Sequence, residues 1–397
     1  TTWRMGWGAK SLGSSSCLGG GFPAPSCAIT PPLPTPHSAA RGAQEAAKDE
    51  DEGGQGNHAR STLTTLPAQM RSRLLPLLLL LAVTRGSSAL SALPPLERRR
   101  ADLASISLEW LVQRPAGSEP PSSPPVLFVH GSFHGAWCWE RWMGRFAASL
   151  GCECHAVSLR GTSGSPTGNC RQRSVKIEEH VSDLAAFVDG PLAASSAGPP
   201  VLVGHSFGGA SVLKYLEAGH AASAAVLLCS VPPSGNSAMT LRFVRRSPAA
   251  AWLLVRGFAF KEAARSSSVA RRLFFDDEMG EEEVEAHVAR FAADSRCGIN
   301  LSDFNKALPS RQADAVGRAT WLATAPPALV IGAEADGVVD AEGVEETAAF
   351  LGTRARVLRG APHDIMLAAG WEAAADEVVQ WVDGQELARS SPHAARG

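Results

Sequence analysis

Apolar and polar positions along residues 104–385 follow two alternating rhythms. Short runs at 126–129, 152–159, 201–203, 225–229, 328–331 and 355–358 have the length of strands and end in Gly, Pro or polar residues. Between them the apolar residues take helical spacing: around 139–148, at Ile177, Val181, Leu184 and Val188, in an alanine-rich run after Ser206, and from about 371 to 382. Ile106, Leu108, Trp110 and Val112 alternate with polar neighbours, which predicts a half-buried strand ahead of a Pro/Ser-rich turn at 115–125. Apolar strands separated by helices predict an α/β fold: a mostly parallel central sheet with helices on both faces.

One interval breaks this rhythm. Residues 234–325 separate two strands without a clear strand of their own. They hold apolar islands at 252–255 and 273–275. They also hold an expected helix at 281–291, with acids in its first turn and Val284, Val288 and Phe291 on one face. Connections of this length within a compact domain are usually functional, so the interval is read as a helical cap over the site. Its basic part, residues 242–272, reads first as a solvated helix face. The functional alternative is attraction for an anionic substrate or a lipid surface.

Upstream of the domain the composition changes. Residues 1–69 are rich in Gly, Ser, Pro and Ala, carry an acidic patch near Asp49 and Glu52, and sustain neither period. Residues 70–92 then run basic, apolar and small: Met70-Arg71-Ser72-Arg73, an apolar stretch to Val83, and Ser87-Ser88-Ala89. That is the order of a secretory signal peptide, and the apolar stretch is too short to span a bilayer. The expectation is that Met70 is the start, that residues 1–69 are low-complexity upstream sequence or a disordered extension, and that the chain enters the secretory pathway. Arg98-Arg99-Arg100 and the residues after them would be a further transit segment if the signal is bipartite and leads to a plastid. Net charge is −2 with pI about 6.6, so no global field argues for nucleic acid. The eight cysteines lack metal-ligand spacing, and Cys152-Glu153-Cys154 reads as two buried small side chains.

The densest chemical signal is Gly204-His205-Ser206-Phe207-Gly208, placed between a buried strand and a helix. The pentapeptide alone is weak, because a chain this rich in Gly and Ser holds one by chance in about one case in three. Its context is what a serine nucleophile needs: a turn tight enough to strain Ser206 and hold its hydroxyl above the sheet edge. A serine hydroxyl needs a base, and the base an orienting acid. His363 and Asp336 follow in that chain order, each just past an apolar strand. Glu334 and Asp340 are rivals for the acid. The oxyanion would be met by the main-chain amides of Phe207 and of Ser132, in the His130-Gly131-Ser132 turn, with Gly131 leaving room for the substrate oxygen. His205 is expected to pack. His130, His134, His155, His180 and His287 have structural readings, and His130 is the one expected to line a pocket.

Taken together, these motifs resemble the α/β-hydrolase superfamily, of the AB hydrolase-1 type, over residues 104–385. The resemblance implies that fold with a cap insertion at 234–325, a Ser206–Asp336–His363 triad, and neither metal nor organic cofactor. Residues 130–139 resemble the plant methylesterase and hydroxynitrile lyase branch. Gly131 stands where those lyases carry Thr, and Asp364 where they carry Lys after the His, which tells against cyanohydrin cleavage. Ser206 tells against epoxide hydrolases and haloalkane dehalogenases, which use Asp there. The expected activity is hydrolysis of a small-molecule, hydrophobic carboxylic ester or thioester through an acyl-enzyme. Acyl transfer, carbon–carbon hydrolysis and cofactor-free perhydrolysis on the same residues, or a non-catalytic small-molecule receptor, are the alternatives.

Overall fold

A computed structural model describes residues 93–117, 123–167, 174–194 and 198–390 of the chain. The expected signal segment and the sequence before it lie outside the described residues. Eight strands form one sheet: β1 (Glu97–Asp102), β2 (Ser107–Gln113), β3 (Val126–Val129), β4 (Cys154–Val157), β6 (Val201–His205), β7 (Ala224–Leu228), β9 (Ala328–Ala333) and β10 (Ala355–Leu358). Their spatial order is β1-β2-β4-β3-β6-β7-β9-β10. β1 and β2 pair antiparallel, as do β2 and β4; every later pairing is parallel. A second, two-stranded sheet joins β5 (Ser174–Val175) to β8 (Gly298–Ile299). The expectation of a mostly parallel sheet is met. Every residue of β3, β6 and β7 is buried, as strands covered on both faces must be.

The covering helices follow from their apolar spacing. In α1 (Glu140–Leu150), Trp142, Met143, Phe146 and Ala147 turn inward, and Gly151 ends the helix in the left-handed conformation. Phe128 of β3 meets the rings of Trp139 and Phe146 at 5.0 and 5.2 Å. Arg145 on the outer side of α1 grips Asp376 with two bonds of 2.6 and 2.7 Å, tying α1 to the final helix. α2 (Ile177–Phe187) packs on α3 (Phe207–Glu217).

Two expectations at the start of the sheet need correction. The sheet begins at Glu97, upstream of residue 104, and Arg98-Arg99-Arg100 lie in β1. A charged strand is stable there because it is an edge, where charge also blocks pairing with another chain. Arg98 pairs with Glu109, and Arg99 and Arg114 with Glu97. β2 is buried on both faces rather than one. Its polar side is covered by the loop after β4: Glu109 accepts from the Ser158 hydroxyl at 3.0 Å, and its amide donates to Ser165 at 2.9 Å.

The interval between β7 and β9 is mainly helical, as expected, but it also holds the strand β8, too short to leave an apolar period in the sequence. It contains α4 (Asn236–Arg246), α5 (Pro248–Leu254), α6 (Ser267–Phe274), α7 (Glu281–Asp294) and the single turn α8 (Leu301–Phe304). Two buried carboxylates fasten it to the rest of the domain. Arg242 of α4 holds Asp340 with two bonds of 2.6 Å. Asp294, at the end of α7 and 2% exposed, accepts from the Trp137 indole at 2.8 Å and from the amide and hydroxyl of Ser163. α9 (Ala341–Phe350) and α10 (Trp371–Ser390) complete the domain.

Phe128→Ala removes a ring with no exposed surface from between two aromatic side chains. It should cost about 3–5 kcal/mol, read as a lower midpoint in urea unfolding. A midpoint equal to that of the parent would show that this cluster does not support the sheet.

Candidate active site

β6 delivers the chain to Ser206, and α3 leads away from it. Ser206 sits at φ 53, ψ −118, a conformation that costs about 1–3 kcal/mol in a non-glycine residue. Main-chain bonds hold it there: its amide donates to Leu228 O at 2.9 Å, and its carbonyl accepts from Gly209 and Val231, each at 3.1 Å. The glycines around it are dictated by close approach. A Cβ on Gly204 would lie 2.8 Å from Gly208 O, and one on Gly208 would meet Val129 O and lie 2.5 Å from His130 O.

His363 lies in the loop after β10, and its Nδ1 donates to Asp336 Oδ2 at 2.8 Å; both side chains are 1% exposed. The other oxygen of Asp336 accepts from the amides of Val338 and Val339 at 2.7 and 2.8 Å, which fixes the carboxylate's direction. The rival acids are occupied elsewhere, Glu334 by the amide of Gly360 and Asp340 by Arg242 and the start of α9. His205, the neighbour of Ser206, donates from Nε2 to His363 O at 3.0 Å, with the two rings 4.7 Å apart. The structure therefore joins Asp336 to His363 and sets His363 against the Ser206 turn. His363 Nε2 is buried with no hydrogen-bond partner among the described residues, so the Ser206–His363 bond is not formed. Such bonds commonly tighten only when a reacting group is bound.

The loop after β3 closes over the same turn. A Cβ on Gly131 would stand 2.8 Å from Ser206 Cβ, so this glycine makes room for the serine itself as well as for any ligand. The Phe207 amide heads α3, where no intrahelical acceptor exists for it. Ser132 and Phe207 line one cavity together with Ser206 and, as expected, His130. His130 is locked as a neutral ring: Nδ1 donates to Gly131 O at 2.8 Å and Nε2 accepts from the Leu159 amide at 2.9 Å. Burial pushes its pKa down to about 4.

That cavity holds about 410 Å³ and is closed by the cap through Met239, Leu254 and Phe258. Lys261, Asp294 and Arg160 add charge to its wall, though Arg160 is already gripped by Asp183 at 2.8 and 2.6 Å. A wider cleft of about 1090 Å³, bordered by Ala328, Ala355 and Trp381, contains none of Ser206, Asp336 or His363.

A second buried acid was not anticipated as a working group. Asp364, fully buried, bonds His134 Nε2 at 2.9 Å and lies 3.7 Å from His205 Nε2. Burial raises its pKa, but His134 and the neighbouring rings reverse this and hold it below the usual carboxylate range. For His363, burial lowers the pKa, and Asp336 with a contribution from Asp364 overturns this and lifts it above 6.5. Adjacency to His363 was the available signal for Asp364; the partnership with His134, 230 residues away, left none. Two groupings, His205–His363–Asp364 and Cys229–Asp336–His363, bring three potential metal-ligand atoms within 4.8 Å. His205 Nε2 and His363 Nδ1 already donate to His363 O and Asp336, and burial pushes the Cys229 thiol well above its ordinary pKa, away from the thiolate that metals bind.

A family model described as the alpha/beta hydrolase family matches residues 126–381. Methylesterase 10 of Arabidopsis thaliana is 34% identical over 84 residues, 21% of this chain and 28% of that protein. Probable esterase PIR7A of Oryza sativa subsp. indica is 33% identical over 125 residues, 30% of this chain and 45% of that protein. The chain thus spans less than half the length of either curated relative. A haloalkane dehalogenase loop variant, DbeA-M1 from Bradyrhizobium elkanii, superposes with a TM-score of 0.57 at 18% identity, over 75% of this chain and all of that one; at this identity the likeness is one of fold.

Close approach makes a prediction that separates two glycines. Gly208→Ala forces a methyl into main-chain oxygens and should destabilise by about 1–3 kcal/mol. Gly384→Ala, in α10 with no neighbour within 4 Å, should be neutral or stabilise by up to about 1 kcal/mol. Thermal midpoints of the two variants that move together would contradict this account of the turn.

Proposed function

The chain belongs to the alpha/beta hydrolase family, and from that premise we propose that it is a serine esterase acting on a carboxylic ester with an apolar acyl group. The observation that carries the reading is the 2.8 Å bond between Asp336 and His363 beside the strained Ser206 turn, at a cavity lined largely by apolar side chains. The esterase names of the two plant relatives support it.

In this reading His363 Nε2 takes the Ser206 proton as Oγ bonds to the ester carbon, and Asp336 holds the ring with Nδ1 protonated and stabilises the imidazolium. The oxyanion is met by the Phe207 and Ser132 amides. Collapse breaks the bond to the alcohol oxygen, which leaves with the proton from His363. Water, deprotonated by the same imidazole, then releases the acid and restores Ser206. The cap contributes the apolar wall that selects the acyl group, and it keeps bulk water from the reacting carbon.

Ser206→Ala should lower hydrolysis of a p-nitrophenyl ester at least about a thousandfold and abolish labelling by a fluorophosphonate. Turnover equal to the parent's in that variant would end the esterase reading. The second expectation concerns pH. The base must be neutral, and carboxylates that favour its cationic form raise its pKa, so kcat/KM should rise with pH through an apparent pKa above 6.5. Asp364→Asn removes one of those carboxylates and should move this limb to lower pH. A limb that stays in place would exclude Asp364 from the electrostatics of His363.

A further inference from the structure

The outer surface of the cap combines exposed apolar side chains with unbalanced positive charge. Among the described residues, the large hydrophobic side chains left exposed include Leu241, Val244, Trp252 and Phe260, at 49, 48, 56 and 52%, all within residues 241–260. Leu241, Val244 and Arg245 fall on one exposed face of α4. Trp252 and Phe260 meet edge to face at 6.0 Å and form an aromatic pair open to solvent. Residues 236–272 contain eight arginines and lysines against one acid, Glu262, in a chain whose net charge is −2. Arg242 and Arg246 are paired with Asp340, Arg256 with Glu262 and Arg271 with Glu281. Arg245 and Arg265, both exposed, have no carboxylate within ion-pairing distance among the described residues. The patch is continuous with the cavity rim: Phe260 lies between two cavity-lining residues, Ala259 and Lys261, and Leu301, 50% exposed, lines the cavity itself.

Exposed Trp and Phe beside Arg is the composition of an element that lies in a membrane interface, the rings reaching into the acyl boundary and the cations meeting anionic headgroups. An acidic protein surface would satisfy the arginines but would leave the aromatic pair unexplained. We propose that the cap surface formed by residues 241–265 docks on an anionic lipid bilayer. Docking there brings the cavity rim to the membrane. The implied substrate class, a lipophilic ester taken from the bilayer, rests on the esterase reading above.

The test is flotation of the full chain with vesicles of phosphatidylcholine alone and of phosphatidylcholine containing roughly one-third phosphatidylglycerol. Binding is expected to the anionic vesicles, weakened by salt. Arg245→Gln and Arg265→Gln should each reduce it about fivefold, and Trp252→Ser at least as much. Trp252→Ser and Arg245→Gln should leave turnover of a water-soluble p-nitrophenyl ester unchanged, which shows that the fold is intact. The binding arm is run with Ser206→Ala as well, so a failure of docking and a failure of the esterase reading are separate results. Failure to bind, equal binding to neutral vesicles, or binding indifferent to Trp252 would overturn the proposal. Capture of polyglutamate in preference to vesicles, with the same dependence on Trp252, would overturn it in favour of an acidic protein partner.

Discussion

The helix that follows Ser206 lies so close to the end of β3 that a single methyl group on Gly208 would strike the carbonyl oxygens of Val129 and His130. That approach governs the head of the sheet. It requires β3 and β6 to be neighbours, which the strand order provides. It compresses the turn until Ser206 has no choice but φ 53. It also brings the Gly131–Ser132 main chain beside Ser206, so the donors expected to face an oxyanion and the hydroxyl expected to attack are set by one packing contact. The strain is offset by three main-chain hydrogen bonds to the Ser206 peptide groups, from Leu228 of β7, Gly209 of α3 and Val231. Backbone holds Ser206, so side-chain substitutions nearby have little means of relaxing it.

Electrostatics then distinguishes one imidazole among several. His130, His180 and His205 are all buried, and desolvation drives them down to about 4, 3 and 3, so they are neutral throughout the physiological range. His363 is equally buried, yet its pKa moves upward. The difference is the partner. His130 bonds main-chain groups, which satisfy hydrogen bonding and do little for a charge, and His205, though 3.7 Å from Asp364, bonds the His363 carbonyl and is opposed by the His363 ring. His363 finds a carboxylate at 2.8 Å, with a second, Asp364, nearby. A ring able to accept a proton inside an apolar site needs that compensation, because an unpaired imidazolium there would be too costly to form.

How much of this was legible in the sequence depends on how local each determinant is. β3, β6 and β7 could be read because strands covered on both faces show as apolar runs. The turn at Ser206 could be read because its glycines are adjacent in the chain and each answers a steric need. β1 could not, because an edge strand draws its stability from backbone pairing and ion pairs and carries no apolar period. β2 was misjudged because the burial of its polar face depends on Ser158 and Ser165, contributed by a distant loop. Asp336 was preferred by position after β9, with Glu334 and Asp340 as rivals, and the packing of the loop sets Asp336 against His363. Asp294 left no trace at all, since its meaning lies in Trp137 and Ser163, each more than a hundred residues away.

One rejected candidate explains how the cap is built. Asp340 lies as close in sequence to the end of β9 as an acid partner for His363 should, but it caps α9 and holds Arg242 instead. That bond fastens the beginning of the cap to the start of α9, while Asp294 fastens α7 to Trp137 after β3 and to Ser163 after β4. Both carboxylates are buried, and parting either from its donors would leave it without compensation. The stretch between, residues 255–265, is held differently: its ion pair is internal, Arg256 to Glu262, and Lys261 donates to Ser295 O within the cap itself. The same stretch carries Val255, Phe258 and Ala259 on the cavity wall and Phe260 on the outside. The stretch is nevertheless joined to the site, because Phe258 packs on Phe133 of the loop after β3 and on Phe274, whose ring lies 5.8 Å from that of His363. Cap residues on the cavity wall are thus coupled through Phe274 to the imidazole expected to act there, and a change in the cap's inner face reaches the site through that ring.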